Sequence, residues 1–326
     1  MSSVTQTTPE QPLVSVITPT YNRPEYLREA IASAISQTYQ NIEIIVSDNC
    51  SQTNPLPIIE AFNDPRIKFS RNDTNVGMLA NVVNSFKRAQ GKYIACLLDD
   101  DKWTEHFLEE MIPPLEQNSM VSVAFCDHYV MDEHSQVDPE KTEECSQTYG
   151  RIHLKEGLYA PFYELFLISR SVSPAIAAVM RRDAIDWGSI PSDVGSLWDT
   201  YVAYLHSTRG YGAYYVPKRL TLYREHSQTV TMQSGRQSAE AKLAKAKSSV
   251  FCYETFSADD HLSELRPFLK RKLAHDMTTV GIALMRMQHL QSARPHFWRA
   301  LKTHFSLRTL AACFVSYLPA KIACQF

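Results

Sequence analysis

Residues 93 to 101, Tyr93-Ile94-Ala95-Cys96-Leu97-Leu98-Asp99-Asp100-Asp101, decide the fold class. An apolar run of this length, with Gly91 and Lys92 before it and charge after it, predicts a strand buried on both faces. The three carboxylates then stand at its C-terminal end, where open α/β sheets bind ligands. Like charges this close repel, and each is costly to desolvate. A hard divalent cation such as Mg²⁺ or Mn²⁺, coordinated by carboxylate and phosphate oxygens, relieves both problems. A solvated turn carrying three surface acids is the other reading of the triplet alone.

The same strand-then-polar-turn pattern precedes it. Leu13 to Ile17 leads into Thr18-Pro19-Thr20-Tyr21-Asn22, and Ile42 to Val46 into Ser47-Asp48-Asn49-Cys50-Ser51. A shorter run, Ile67-Lys68-Phe69, leads to Arg71 and Asn72. Helical spacing of apolar residues fills the intervals, over Glu25 to Ser36 and Met78 to Ala89. Alternating strands and helices imply a largely parallel sheet with right-handed crossovers, its polar turns gathered along one edge. Neither G-x-G-x-x-G after the first strand nor G-x-x-x-x-G-K-[ST] occurs, which disfavours an ordinary dinucleotide site or P-loop.

With "VSVITPTYNRPEYLREAIASAISQTYQNIEIIVSDNCS" (14 to 51), "NVG" (75 to 77) and "GKYIACLLDDDKW" (91 to 103), the chain resembles inverting family 2 glycosyltransferases of the GT-A fold. The resemblance implies an α/β fold: a Rossmann-like, mixed and mainly parallel sheet flanked by helices, with a C-terminal helical extension. It covers a catalytic domain over 12 to 230; polar residues 1 to 11 read as a tail, and helix formers with apolar spacing near 3.6 read as a helical region over 231 to 326. Within the domain, 12 to 103 would bind the nucleotide sugar and 104 to 230 the acceptor.

Carried over residue by residue, the resemblance places Pro19 and Tyr21 against the base and ribose, and Asp48 against a base N–H such as the imide of uracil or thymine. Tyr21 could instead pack on the following helix, and Asp48 could serve an Asx-turn. Where some relatives place an arginine, this chain has Met78, with Asn75 and Asn81 nearby. Asp100 matches the main metal ligand and Asp99 the acid set against ribose and metal. Asp101 is a further ligand or an orienting group, and the cofactor is Mn²⁺ or Mg²⁺. Such an ion neutralises charge growing on the β-phosphate while the sugar becomes oxocarbenium-like.

The second half supplies the acceptor chemistry. Val121 to Phe125 predicts a strand, 131 to 150 a polar surface loop, and Pro174 to Met180 the family's central strand. In "DVGSLWDTYVAYLHSTRG" (193 to 210), Asp199 matches the catalytic base, an acid opening a helix, with Asp193 in reserve; a helix-dipole role is the alternative for Asp199. "LTLYREHSQTVT" (220 to 231) matches a late segment closing over diphosphate or metal, which assigns Arg224 to phosphate and His226 to metal or phosphate.

A net charge of -2 gives no reason to propose nucleic acid. Seven cysteines without zinc spacing read as reduced residues of a cytoplasmic protein. No apolar leader opens the chain, and no run reaches the ~18 apolar residues of a membrane span. The final segment, from His296, mixes aromatic and aliphatic residues with Arg299, Lys302, Arg308 and Lys321. It suits a helix on an anionic membrane, or helices packing on the domain or on a second subunit.

The expected activity is transfer from a nucleoside-diphosphate sugar, UDP or dTDP being favoured, to a saccharide or lipid-linked acceptor in cell-surface polysaccharide or glycolipid assembly. A catalytically silent nucleotide-sugar binding module is one rival. A sugar-nucleotide pyrophosphorylase is another; it needs a Gly- and Lys-rich loop where this chain has Thr18-Pro19-Thr20-Tyr21-Asn22-Arg23.

Overall fold

The computed structural model describes residues 11–226 and 238–320. The expected tail, apart from Gln11, lies outside them, as do residues 227 to 231 of the late segment and Lys321. The chain clusters into two compact units: Met1–Met131, Gln136–Gly188 and Leu205–Arg224 form the first, and Asp132–Ser135, Ser189–Tyr204 and Glu225–Phe326 the second.

The first unit opens with β1 (Val14–Thr20), α1 (Pro24–Ile35), β2 (Ile42–Asp48), α2 (Leu56–Glu60), β3 (Ile67–Arg71), α3 (Met78–Arg88) and β4 (Tyr93–Cys96). β1 and β2 are buried at every position, the burial pattern of continuous apolar parallel strands. β1 pairs in parallel with both β2 and β4, and Thr20 stands opposite Asp48. The polar turns after β1, β2 and β4 therefore share one sheet edge. Leu27, Ala30, Ile31 and Ala34 of α1 bury the apolar stripe read from their spacing.

After the acidic turn come β5 (Lys102–Trp103), α4 (Phe107–Gln117), β6 (Val121–Met131), α5 (Pro139–Thr148), β7 (Gly157–Tyr159), α6 (Tyr163–Leu167), β8 (Ala178–Arg181), α7 (Trp198–Thr208) and β9 (Gly212–Arg224). Strand order is β3-β2-β1-β4-β8-β6-β9-β5, with β7 on β9, in one nine-stranded mixed sheet among the described residues. β8 runs antiparallel between β4 and β6, whereas β6 and β9 pair in parallel.

Two expectations need correction. The central strand expected over 174 to 180 is confined to Ala178–Arg181, because 174 to 177 form a turn. The surface loop expected over 131 to 150 contains α5, with Pro139 in its first turn and Asp138 capping Lys141 N at 3.0 Å. Its inward residues are Thr142 and Ser146, so hydrophobic periodicity gave no signal. Thr142 Oγ1 accepts from Val130 N at 3.0 Å, and Ser146 Oγ donates to Asp127 Oδ2 at 2.5 Å.

The second unit contains α8 (Ala239–Ala258), α9 (Arg266–Arg286), α10 (Leu290–Thr303) and α11 (Leu307–Val315). Their core is built on Val280, Leu284, Met285, Ala293 and Phe297. Gly281 lets α9 approach α10, since a Cβ there would stand under 3.0 Å from three ring carbons of Phe297. Residues 189 to 204, expected in the acceptor half, group with these helices.

Candidate active site

Asp99, Asp100 and Asp101 follow β4 in a tight turn, closed by Asp101 N donating to Leu98 O at 3.1 Å, and all three are buried. Each carboxylate has its own environment. Asp99 Oδ2 accepts from Thr20 Oγ1 at 2.8 Å and Tyr21 N at 3.2 Å. Arg23, just beyond β1, places Nη1 3.0 Å from Asp99 Oδ1 and 2.6 Å from Asp100 Oδ2. Asp101 Oδ1 accepts from Arg224 N at 2.9 Å, while its Oδ2 is buried without a hydrogen-bond partner.

Burial, reinforced by neighbouring Asp100, lifts the Asp99 carboxyl to about 6 despite Arg23. Burial and Asp100 also push Asp101 well above the usual carboxylate range. Burial alone would lower the Arg23 guanidinium, but Asp99 and Asp100 outweigh it and hold it above its ordinary value. The turn thus crowds three carboxyl groups into a buried site, where Arg23 faces Asp99 and Asp100 and Arg224 faces Asp101.

Arg224, expected at the diphosphate, has partners within the chain. Its side chain is fully buried: Nε donates to the Asp100 carbonyl at 2.8 Å, Nη2 pairs with Glu29 at 3.0 Å, and the guanidinium lies 4.4 Å from the Tyr26 ring centre. It braces the acidic turn against α1. Because β9 is the strand that carries it there, no local signal near residue 224 could foretell this contact.

On the base side, Asp48 makes the contacts of the Asx-turn alternative. It is fully buried, and both carboxylate oxygens accept from Ser51 N at 3.2 Å, with the Ser51 hydroxyl donating to Oδ1 as well. Arg71 Nε stands 3.5 Å from Oδ2. The Asx-turn describes these contacts. Asn22 N donates to Ser51 Oγ at 2.8 Å, and Asn22 accepts Gln52 N at 2.7 Å, tying the two turns together. Between them a cavity of about 190 Å³ is lined by Thr20, Asn22, Arg23, Ser51 and Gln52. Pro19 is buried beneath this edge, and Tyr21 is 43% exposed. Asn75, exposed, accepts Asn49 Nδ2 at 2.9 Å, and Asn72 bridges Asn49 and Asn81.

In the second unit Asp199 lies in the first turn of α7, half-buried, its Oδ1 accepting Thr200 N at 2.7 Å. Asp193 is exposed in the 3₁₀ turn before it. His226 is buried. Among the described residues no three His, Cys, Asp or Glu side chains form a metal-ligand group, so the full set of Asp100, Asp101 and His226 is not seen as one.

Arg23 was not singled out from sequence, although it sits inside the stretch carrying the resemblance. Its charge on the polar turn beside three acids was the available signal. The buried Asp127–Arg151 pair, at 3.1 Å beside His128, was also missed, since its partners lie on α5 and the turn after it.

Comparison with known proteins agrees with this architecture. Over 123 residues the chain is 33% identical to WfgD of Escherichia coli, named a UDP-Glc:alpha-D-GlcNAc-diphosphoundecaprenol beta-1,3-glucosyltransferase, covering 38% of this chain and 48% of that protein. Over 121 residues it is 36% identical to the E. coli glycosyl transferase WcaA, named for colanic acid biosynthesis, covering 36% and 43%. The matched stretch therefore spans less than half of either relative. S. aureus TarS, solved with UDP-GlcNAc, superposes with a TM-score of 0.63 at 16% identity, covering 95% of this chain and 90% of that one. A Pyrobaculum calidifontis mannosyltransferase solved with GDP-Man and Mn²⁺ gives 0.57 at 18% identity, covering 97% and 84%. These structures share the fold: helices flanking a mixed sheet, with further helices at the C-terminus. The profile described as "Glycosyl transferase family 2" matches residues 15–186, spanning every strand from β1 to β8 and the whole acidic turn, and the chain belongs to that family.

Proposed function

We propose that this protein is an inverting, metal-dependent glycosyltransferase. It moves a sugar from a nucleoside-diphosphate sugar to an acceptor hydroxyl, in cell-surface polysaccharide or glycolipid assembly. The observation that carries the reading is the buried acidic turn at the sheet edge, three carboxylates of which two pair with Arg23 and the third accepts Arg224 N. The unpartnered, buried Oδ2 of Asp101 supports a cation there, because a bound cation would replace the proton that burial otherwise holds on this carboxyl.

Asp100 with Asp101, and His226 as a further ligand, would hold Mn²⁺ or Mg²⁺, whose chemistry is to neutralise the leaving diphosphate. Pro19, Tyr21 and Asn75 flank the nucleoside. Asp48 acts through the Ser51 turn, and Asp99 receives the ribose. Arg224 holds the Asp100–Asp101 backbone in place. Asp199 accepts the acceptor's hydroxyl proton as that oxygen attacks the anomeric carbon; the bond to the β-phosphate oxygen breaks and a nucleoside diphosphate leaves. A single displacement inverts the anomeric centre. The UDP-sugars named for WfgD and TarS favour a uridine donor, and WfgD's name favours a lipid-linked acceptor.

Thermal unfolding with UDP, dTDP or GDP, in Mn²⁺ and in EDTA, tests the reading. UDP with Mn²⁺ at 100 times its dissociation constant should add about 2.7 kcal/mol. Equal stabilisation in EDTA overturns metal dependence, and no stabilisation by any nucleotide overturns the donor class.

A further inference from the structure

The C-terminal helix α11 is built inside out, and it packs beside the exposed Trp298 of α10. In α11 the residues turned into the core are Thr309, Ala312 and Cys313, followed by Ser316, all small or polar. The opposite stripe, at i, i+3 and i+7, is Leu307, Leu310 and Phe314, exposed by 75%, 45% and 69%. Tyr317 extends it, and its hydroxyl accepts the indole N–H of Trp298 from α10 at 3.2 Å. A helix facing water carries the reverse pattern, and an apolar stripe with aromatic residues at its edge marks a contact surface.

Charge identifies what that surface meets. From residue 277 onward the sequence has six Lys or Arg and no Asp or Glu, leaving 27 basic against 35 acidic residues in the rest of the chain. Lys302 and Arg308 are exposed, Arg308 with Nη1 3.1 Å from His275 Nδ1 of α9. Arg294 stacks 4.2 Å from the Tyr317 ring centre, and Arg299 pairs with Glu254. Two copies meeting through this face would bring two such basic surfaces together. An anionic lipid surface offers the complement, phosphate for the cations and acyl chain for the stripe. No described helix is long and apolar enough to cross a membrane.

We propose that α10 and α11 form an interfacial membrane-docking surface, with Leu307, Leu310, Phe314 and Trp298 entering the headgroup–acyl boundary of an anionic bilayer and Lys302 and Arg308 contacting its phosphates. This inference does not depend on the transfer chemistry, and its test needs no substrate.

Trp103, Trp187 and Trp198 are buried, so Trp298, 52% exposed, is the tryptophan that can report contact. The full-length protein is mixed with vesicles of phosphatidylcholine alone, or with 30% phosphatidylglycerol, carrying brominated acyl chains. Quenching and a blue shift are expected only with phosphatidylglycerol, falling as salt rises. Leu310→Ser/Phe314→Ser should lower the vesicle partition coefficient by about 10²-fold, and Lys302→Glu/Arg308→Glu should abolish the preference for phosphatidylglycerol. No quenching of the wild-type protein by the anionic vesicles overturns the proposal, whatever the variants do. So does a wild-type dimer in light scattering that dissociates in Leu310→Ser/Phe314→Ser without vesicle binding; the face is then a self-interface.

Discussion

Replacing Arg23 with glutamine tests the electrostatic account of the acidic turn. Nη1 of Arg23 stands within 3.0 Å of both Asp99 and Asp100, and its side chain is 19% exposed. Removing one partner of a buried ion pair strands the other and typically costs ~3–5 kcal/mol. Here Asp99 keeps Thr20 Oγ1 and Tyr21 N, and the guanidinium is partly wet, so the low end applies: Arg23→Gln should lose about 3 kcal/mol. The measurement is urea unfolding at pH 7.5 in EDTA, repeated with Mn²⁺. If the turn accepts a cation, Mn²⁺ at 100 times its dissociation constant restores about 2.7 kcal/mol. The gain should exceed that of the wild-type protein, in which Arg23 already occupies the carboxylates. A variant within 0.5 kcal/mol of wild type in EDTA would refute the charge argument, taking ~0.5 kcal/mol as the ordinary range of a neutral surface change. Equal Mn²⁺ stabilisation of Asp100→Asn would refute the location of the cation.

Asp199→Asn should lower kcat by about 10²- to 10⁴-fold with donor affinity kept, whereas Asp100→Asn should lose Mn²⁺-dependent nucleotide binding too; near-normal transfer by Asp199→Asn moves the base to Asp193 or elsewhere. His206 is fully buried, and burial together with Arg209 depresses its imidazole to about 3. Its folded value lies below the unfolded one, so its contribution is whole above pH ~6.5 and is lost as pH falls toward ~3, by about 2 kcal/mol at pH 5. Denaturant titrations at pH 7.5 and 5 should show His206→Gln losing that much less than wild type. Gly281→Ala should destabilise by about 1–3 kcal/mol because of Phe297, even though helix propensity alone favours alanine by ~1 kcal/mol; a raised Tm would sink that packing argument.

Much of the first hundred residues was legible in sequence, because the strands there are buried on both faces and the helices are amphipathic. Apolar runs of period one and stripes near 3.6 residues are local properties, and they locate β2, β4, α1 and α3 to within two residues and β1 to within three. The acidic triplet at the end of a strand is equally local. Elements whose partners are polar or distant were not legible. α5 buries Thr142 and Ser146, so it carries no hydrophobic period. β9 runs on to Arg224 between β6 and β5, and these pairings bring a guanidinium more than a hundred residues away under Asp100 and Asp101.

Sequence by itself determined the fold class, the family and the sheet edge on which the chemistry-bearing turns lie. Tertiary structure alone decided which of those side chains stay open. Asp48 and Arg224 are consumed by Ser51 and Glu29, Arg23 is drawn onto Asp99 and Asp100, and one oxygen of Asp101 is left without a partner. The physical reason is desolvation: a carboxyl buried at the end of a strand either finds a partner that folding brings to it, as Asp99 does, or holds its proton, as Asp101 does.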